Sequence, residues 1–426
     1  MKTTIQLIFL LSLVQLLACT EQAPEKETAP PMVPMDIYKN KQAQQDSTAK
    51  LDKEPVQKYY EYRYVSANSG LIYRAAPKGK PLGKFPLNTQ VKLLEKTGVV
   101  EKIQDGGKTV EGEWVGVENG SDTVYVFSGF LATYFTYSPL GIYYAGRYYK
   151  TENEEIPGYI NLSENYPVDY ESDSPSLLSA EDLGKQMVEF TPGQKRKFLK
   201  AMRLMDRDTA FLYNLFTDSI YKFVLRDVSA IAVVNAYADG ENLKEYDYEM
   251  GLSLGKAYQD QGETFAYIGR DNPFQQGKAE PILWTKVDDK DFSFDSFDSS
   301  VREKMTDWLA KPKEMDVFTY SNNSHDYYLQ NSGPKDEMGN YHLLVANSKT
   351  GALVFEEVFF NSESTYPLSL NTTGKKKPQS GQWTGTIFKG QSPIIYGFMG
   401  NSFGCPLIQF LSEREAPILI RCDNRH

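Results

Sequence analysis

Two cysteines late in the sequence have a spacing that suits disulfide chemistry. Cys405 and Cys422 each border a short apolar segment, and the polar run 412–415 lies between the two segments. Both segments are typical of β-strands, and a hairpin with Glu413 and Arg414 at its tip would place the two cysteines directly opposite each other. Opposed Cβ atoms lie about 4.5–5.5 Å apart, close to the separation that a disulfide needs. The spacing therefore predicts a Cys405–Cys422 disulfide, which at this loop length stabilises a fold by roughly 3 kcal/mol.

A second chemistry open to Cys405 is that of a cysteine peptidase, in which a histidine activates a thiolate. A disulfide would remove the thiol, and residues 402–406 match no peptidase signature. The chain has three histidines, His325, His342 and His426, and it contains neither a His-x-x-x-His nor a Cys-x-x-Cys pattern. Zinc sites usually draw on such closely spaced ligands. We therefore predict neither a metal site nor a cysteine peptidase.

Three short motifs follow the order found in penicillin-binding serine enzymes, namely Ser219–Lys222, Ser321–Asn323 and Lys349–Gly351. The second and third motifs lie closer together than is usual in those enzymes. Residues 347–351 are also typical of a turn between two strands. We expect a chance match and predict no catalytic residue in the chain.

The remaining cysteine follows a short basic and then an apolar segment. Lys2 precedes the apolar run 5–17, which leads directly into Ala18 and Cys19. The run is shorter than the roughly 20 residues that cross a bilayer, and a small residue before the cysteine suits a signal peptidase. This pattern resembles a bacterial lipoprotein signal peptide, in which residues 1–18 are removed and Cys19 is acylated. An ordinary secretory signal with an incidental cysteine is the alternative.

The lipoprotein resemblance implies a location and a partner. Acyl chains contribute about 0.8 kcal/mol per buried methylene, so several chains on Cys19 would hold the protein on a membrane. The expected location is the cell envelope, at the outer membrane or the cell surface. Disulfides persist in such an oxidising compartment, which agrees with the pairing predicted for the other two cysteines.

Residues 19–58 have the composition of a flexible tether. They contain five prolines among Glu, Lys, Gln and Ala, with few large apolar residues and no helical or strand period. The whole chain has a net charge of -10 and a pI near 5.1. Nucleic-acid binders need a basic face, so nucleic acid is not an expected partner.

Short apolar segments separated by glycine-containing turns fill residues 59–133, which predicts a small β-barrel. The string Ser69–Pro77 resembles the Gly-Leu-x-x-Arg-x-x-Pro opening of bacterial SH3-like domains. Trp114–Val117 and Val126–Leu131 follow in the order of that family. Residues 97–112 are an insertion relative to it and are expected to form a hairpin.

The SH3-like resemblance implies binding to cell-wall peptides or glycans, so the expected partner is peptidoglycan or an envelope protein. Most aromatic rings of this region are expected to fill or flank the small barrel. Tyr73 and Tyr125 are the two rings expected to lie exposed and to contact a ligand.

Residues 140–426 are expected to form an α+β domain, with helices first and an antiparallel sheet after them. Thr191 and Pro192 begin one predicted helix, and further helices are predicted over 210–224 and 301–310. Residues 229–234 suit either a strand or a buried helix. From Asp316 onward, alternating and aromatic-rich segments predict strands. No family resemblance is recognised in this region.

Together these observations predict a multidomain fold, a small all-β SH3-like barrel followed by an α+β domain. The predicted function is that of a non-enzymatic, lipid-anchored protein that binds or scaffolds at the cell wall or cell surface. No cofactor is predicted. The alternative is a cell-wall-related envelope hydrolase with an unrecognised active site in residues 140–426.

Overall fold

A computed structural model describes residues 61–146, 149–150, 155–166, 177–238, 242–255, 263–288, 315–332, 339–372 and 381–424. Within these residues the fold is mostly β, with several antiparallel sheets and a single α-helix. The predicted tether and the predicted helix 301–310 lie outside the described residues. No helix in the described part of the chain is long and apolar enough to cross a membrane.

The first seven strands are β1 Glu61–Val65, β2 Leu71–Arg74, β3 Pro81–Phe85, β4 Gln90–Asp105, β5 Lys108–Asn119, β6 Asp122–Phe127 and β7 Leu131–Ala132. The next elements are β8 Ile142–Tyr144, β9 Tyr149–Lys150, β10 Glu155–Ile156, β11 Gly158–Asn161, β12 Met187–Glu189, α1 Pro192–Ala201, β13 Thr209–Asn214, β14 Ser219–Val224, β15 Ala230–Val234, β16 Tyr248–Gly255 and β17 Thr264–Gly269. The last strands are β18 Glu280–Pro281, β19 Thr285–Val287, β20 Met315–Ser321, β21 His325–Ser332, β22 Asn340–Asn347, β23 Leu353–Phe359, β24 Thr365–Pro367, β25 Trp383–Gly385, β26 Ile394–Tyr396, β27 Met399–Asn401, β28 Leu407–Phe410 and β29 Ile418–Arg421.

The N-terminal sheet is antiparallel, with the strand order β3-β2-β6-β5-β4-β1-β7. Valines that alternate along β5 and β6, Val115, Val117, Val124 and Val126, point to one face and form its core. The hairpin predicted inside residues 97–112 is confirmed, since β4 and β5 are joined through Gly106 and Gly107. Both glycines have positive φ, which suits a tight hairpin turn.

Sheets of four, nine and five strands and two strand pairs, β9–β10 and β24–β27, follow the N-terminal sheet in the described chain. A four-stranded sheet, β11-β16-β15-β12, packs against one face of a nine-stranded sheet, β14-β13-β17-β8-β29-β28-β26-β25-β18. The other face of the nine-stranded sheet carries a second, aromatic-rich core. A five-stranded sheet, β19-β20-β21-β22-β23, packs on residues next to β26 and β28. The described residues belong to one compact unit.

The helix predicted to start at Thr191 is confirmed as α1. The Thr191 side chain accepts a hydrogen bond from the Gln194 backbone, and the Gln194 side chain accepts one from the Thr191 backbone. This capping box, with Pro192 at the first helical position, satisfies donors that a helix start otherwise leaves unpaired. Phe198 and Leu199 then bury their side chains against the core between the four- and nine-stranded sheets.

The helix predicted over residues 210–224 is wrong, because this segment forms the hairpin β13–β14. Phe211 and Tyr213 enter the aromatic core on one face of the nine-stranded sheet, while Ala210 and Leu212 enter the core on the other. A strand buried on both faces has no alternation of apolar and polar residues, so its sequence is not distinguishable from a buried helix by period.

The α+β description of residues 140–426 is also incorrect, since strands occur before, beside and after α1. Residues 229–234, left open by the sequence, include strand β15. The strands predicted from residue 316 onward are confirmed, with β20 to β23 forming consecutive antiparallel pairs.

Candidate functional site

The structure joins Cys405 and Cys422 by a disulfide, with their Cα atoms 5.6 Å apart, as their spacing predicts. The predicted register of the hairpin is wrong by one residue. Ile408 lies opposite Ile418, so both buried isoleucines point to the same face. The predicted register would have paired Ile408 with the half-exposed Leu419, and burial of one face selects against such a slip. The disulfide therefore closes the open end of the hairpin, beyond its last paired residues.

The tip of this hairpin forms one wall of an open groove of about 330 Å³. The facing wall belongs to the N-terminal sheet, and the floor is completed by the start of β23. The residues that line the groove are Ser69, Gly70, Lys84, Pro86, Leu353, Val354, Leu411, Ser412, Glu413 and Arg414. Grooves of a few hundred Å³ at the junction of separate layers are common ligand sites.

The wall from the N-terminal sheet depends on Gly70. This residue has φ +78°, and a Cβ atom there would lie 2.7 Å from the carbonyl oxygen of Phe85. Only glycine adopts this φ without strain while the Phe85 carbonyl oxygen lies so close to its Cα. The aliphatic part of Lys84 lies over the same position, so Gly70 fixes where the Lys84 side chain runs along the groove.

The opposite wall is held by hydrogen bonds of the hairpin tip. The Arg414 backbone N–H donates to Ser412 Oγ at 3.2 Å, and the Leu411 N–H donates to the Pro393 carbonyl at 2.7 Å. The Glu415 carboxylate accepts from the Ser392 backbone at 3.2 Å. The first bond lies within the tip, and the other two join the tip to residues 392–393.

The groove combines opposite charges with apolar surface. Lys84 and Arg414 are cations that can bind a carboxylate, and Glu413 can bind an ammonium group. Leu353, Val354 and Leu411 supply apolar contact. A short peptide carries all three kinds of group, so the groove has the chemistry to bind a peptide.

Tyr73 lies on β2 and packs against its own sheet. Its ring lies over Gly83, the residue opposite it on β3, with the ring centroid 4.6 Å from that of Phe85. The ring is half-buried and contacts the valine core of the N-terminal sheet. Packing accounts for the position of Tyr73, and its role as a ligand contact stays a prediction.

Tyr125 lies on the opposite face of the same sheet, so the structure does not bring the two tyrosines together. Its hydroxyl donates a 2.7 Å hydrogen bond to Glu95 Oε1, reaching across Gly116. A Cβ atom on Gly116 would lie 2.7 Å from Glu95 Cγ, so the glycine leaves room for this contact. The hydrogen bond to Glu95, with smaller effects of burial and of the carboxylate charge, raises the pKa of Tyr125.

The aromatic rings near Tyr125 fill space between strands, as expected for most rings of this region. Trp114 is buried against Phe127, with ring centroids 6.0 Å apart. Its indole N–H donates to Glu101 at 2.8 Å, and the Arg74 guanidinium lies 5.7 Å from the ring centroid. Trp114 therefore has a hydrogen-bond acceptor, a cation and an aromatic neighbour on the outer face of the sheet.

The described histidines lie in separate surroundings of the five-stranded sheet. His342 is buried on β22, and its Nε2 lies 2.8 Å from Glu356 Oε1. His325 is half-buried at the start of β21, where burial lowers its pKa. Beside the buried pair, burial and then the charge of Glu356 raise the pKa of Glu357 to about 7. His426 lies outside the described residues.

The motif that imitates serine enzymes has no matching geometry at its first position. Ser219 and Lys222 lie on strand β14, where residues three apart point to opposite faces. The Ser219 hydroxyl donates to the Thr217 carbonyl at 3.0 Å. Residues 347–351 form the turn between β22 and β23, as predicted, with Asn347 accepting from the Gly351 N–H.

The groove was not apparent from the sequence, because its walls come from three segments far apart in the chain. Its one local signal is the polar hairpin tip between two predicted strands. Cys19 and its segment lie outside the described residues. The chain matches no known protein family, no curated protein and no solved structure.

Proposed function

We propose that the protein is a lipid-anchored envelope protein that binds a peptide without catalysing a reaction. The observation that carries this proposal is the groove between the N-terminal sheet and the disulfide-closed hairpin. The proposed ligand is a peptide of the cell wall, as in peptidoglycan, or a segment of an envelope protein. Acylation of Cys19 after removal of residues 1–18 would place the protein at the outer membrane or cell surface.

The tether gives the groove a defined reach in this proposal. A flexible chain of the length of residues 19–58 has an end-to-end distance of roughly 35 Å. A groove at that distance meets polymers and proteins close to the anchoring membrane. The effective concentration of such partners is high at this range, so moderate affinity is sufficient.

Residues 59–133 are proposed to be an SH3-like barrel. The support is the antiparallel order of β1 to β7 and the position of the Gly70–Pro77 string across β2 and the turn after it. In this proposal the barrel contributes Lys84 and Gly70 to one groove wall. The sheets of residues 140–424 contribute the other wall.

Strand β23 offers a further way to hold an extended peptide. It is the outermost strand of the five-stranded sheet in the described part of the chain, and Leu353 and Val354 at its start line the groove. An outer strand can pair its backbone with an added strand, while side-chain contacts select the sequence.

The proposal is tested with the processed full-length chain in detergent. Binding to purified cell-wall sacculi and to soluble stem-peptide fragments is measured by co-sedimentation and calorimetry. The double variant Lys84→Glu with Arg414→Glu is expected to weaken binding by roughly tenfold or more. The matched control, Lys222→Glu with Arg207→Glu, makes the same charge change at two exposed positions, on β14 and in the turn before β13, and is expected to bind normally.

Equal affinity of the double variant and the control would overturn the groove as the binding site. Release of soluble fragments from sacculi by the purified chain would favour the hydrolase instead. Mass spectrometry of the processed N-terminus tests the anchor separately, with an acylated Cys19 expected.

A further inference from the structure

The helix α1 concentrates positive charge on a chain that is acidic as a whole. Residues 190–205 contain five lysines and arginines and no aspartate or glutamate, whereas the whole chain has a net charge of -10. Lys200 lies four positions after Arg196 and three after Lys197, so these three side chains share one face of the helix. All three are exposed, on the side of α1 away from its buried residues. The protein therefore presents a compact cationic face to solvent.

Arg203 extends this face beyond the end of the helix. It follows the C-cap residue Met202 and has φ +57°, a conformation that glycine adopts at this position without strain. Its backbone N–H donates to the Lys200 carbonyl at 3.1 Å, and the residue is exposed. We call Arg196, Lys197, Lys200 and Arg203 the basic face. An arginine stands where the backbone favours glycine, so the last of these charges is added at a cost in strain.

The four cations form no ion pair within the part of the chain that the structure describes. Two acidic side chains flank α1, and each lies beside another cation. Asp182 pairs with Lys185 at 2.9 Å, and Asp227 pairs with Arg226 at 3.8 Å. The charge of the basic face is therefore available to a ligand.

The helix gains little stability from this arrangement. The helix dipole stabilises a cation in the last turn, which accounts for Lys200. Arg196 and Lys197 lie before that turn, and Arg196 repels Lys200. Lys195 has an internal role instead, since its amine donates to the Leu225 carbonyl at 2.6 Å. Like charges on the basic face are therefore held together with no comparable gain for the fold.

An exposed methionine lies beside the basic face. Met205 is 46% exposed and follows Arg203 by two residues. Its backbone N–H donates to the buried Asp208 carboxylate at 2.8 Å, and the Asp208 carbonyl accepts from the Leu225 N–H at 2.9 Å. These bonds fix the loop, so it presents an apolar side chain next to the four cations.

We infer that the basic face and Met205 bind the surface of a membrane that contains anionic lipids. Lysine and arginine side chains attract the phosphates of such headgroups, and an apolar side chain beside them enters the boundary with the acyl chains. A soluble polyanion would satisfy the cations but would leave Met205 without a contact. This contact goes beyond the proposed function, in which only the acyl group on Cys19 touches the membrane, because it orients the folded part on the surface.

The test uses the mature chain from residue 19 with Cys19→Ser, which cannot be acylated, so that any membrane contact comes from the protein itself. Co-sedimentation compares vesicles of phosphatidylcholine mixed with phosphatidylglycerol and vesicles of phosphatidylcholine alone. At low salt the chain is expected to bind the mixed vesicles at least roughly tenfold more tightly. High salt is expected to release it, because salt screens exposed charges.

A double charge reversal tests the basic face. Lys197→Glu with Lys200→Glu is expected to lower the affinity for mixed vesicles by roughly twentyfold or more. The matched control, Lys278→Glu with Lys349→Glu, reverses two exposed lysines, before β18 and in the turn between β22 and β23. It is expected to change the affinity by less than about threefold.

A second variant tests the apolar contact. Met205→Gln keeps the size of the side chain and every charge, and it is expected to weaken binding to mixed vesicles by roughly threefold. The control Val100→Gln makes a similar change at an exposed position of β4 and is expected to leave the affinity unchanged.

Failure to sediment with mixed vesicles at low salt would overturn the inference, as would equal losses in the double reversal and its control. Binding of polyphosphate or a short DNA duplex as tightly as mixed vesicles, with no effect of Met205→Gln, would assign the basic face to a soluble polyanion and would also overturn it. The groove variant Lys84→Glu with Arg414→Glu is expected to keep its vesicle binding, so this inference and the proposed function can fail separately.

Discussion

The hairpins β4–β5 and β13–β14 are both antiparallel, but their first strands, β4 and β13, have opposite surroundings. Much of β4 is exposed, including Val100, which is 58% exposed, whereas five of the six residues of β13 are buried. The glycine turn and mixed polarity made the first hairpin predictable, while the second was predicted as a helix. The difference shows that a strand buried on both faces lacks the alternation that separates it from a buried helix.

The largest expected effect is a loss of stability when a buried side chain of the β13–β14 hairpin is shortened. Leu212 on β13 is fully buried in the core between the four- and nine-stranded sheets. Leu212→Ala leaves a cavity there and is expected to lower the free energy of unfolding by about 3–4 kcal/mol. The control Val100→Ala on β4 is expected to cost less than about 0.5 kcal/mol. Denaturant unfolding of both variants measures the difference, and equal losses would show that burial does not separate these hairpins.

The same contrast explains how much of the fold could be predicted. The α1 cap, the Gly106–Gly107 turn and the strands of residues 316–360 depend on neighbours in sequence, and all were predicted correctly. The β13–β14 hairpin depends on two cores built from distant segments, so its type was not accessible. The register of the cysteine hairpin was predicted from loop symmetry alone, and the burial of Ile408 and Ile418 shifted it by one residue.

The candidate sites follow the same rule. The disulfide was predictable because both cysteines belong to one hairpin. The groove was not, because Lys84, Leu353 and Arg414 come together only through packing of separate sheets.

The next effect concerns a hairpin that a covalent bond closes. The disulfide closes the end of the β28–β29 hairpin, and the β4–β5 hairpin carries no such bond in the described residues. Replacing Cys405 and Cys422 by alanine opens that end. The loss is expected to be about 3 kcal/mol, from the chain entropy that the closed loop removes from the unfolded state. Unfolding midpoints of the oxidised, reduced and double-alanine chains measure it. If reduction left the midpoint unchanged, the hairpin would be stable without the disulfide.

A carboxyl group in the buried sheets should respond to pH in a way that exposed carboxyl groups do not. The pKa of Glu357 is raised to about 7 in the folded chain by burial and by Glu356, whereas an unfolded glutamate titrates near pH 4–4.5. The folded state therefore holds the proton more tightly, so stability falls as pH rises from about 4.5 to 7. The expected loss across this window is roughly 1–3 kcal/mol.

Glu357→Gln isolates that contribution, because glutamine has a similar shape and does not titrate. The variant is expected to be more stable than the original chain at pH 8 and to lack the decline between about pH 4.5 and 7. Unfolding at a series of pH values compares the two chains, with Glu118→Gln, an exposed change in the N-terminal sheet, as the control. A decline of equal size in Glu357→Gln would assign the pH dependence to another group.

The smallest effect tests whether the exposed face of the N-terminal sheet holds its side chains in place. The Tyr125 hydroxyl donates a hydrogen bond to the Glu95 carboxylate across Gly116. Ionising the phenol would break this hydrogen bond and place two negative charges next to each other. Glu95→Gln removes the negative charge, so the pKa of Tyr125 is expected to fall toward its ordinary value. Gly116→Ala is expected to lower it as well, because the added methyl group would displace the Glu95 side chain. Ultraviolet titration of the phenolate measures both shifts against Tyr125→Phe, which removes the signal of this residue.

Equal shifts in the two variants would mean that Gly116 acts by leaving room for the contact between Tyr125 and Glu95. A shift in Glu95→Gln alone would mean that the side chains adjust around the methyl group. This face of the sheet would then be less constrained than the buried strands.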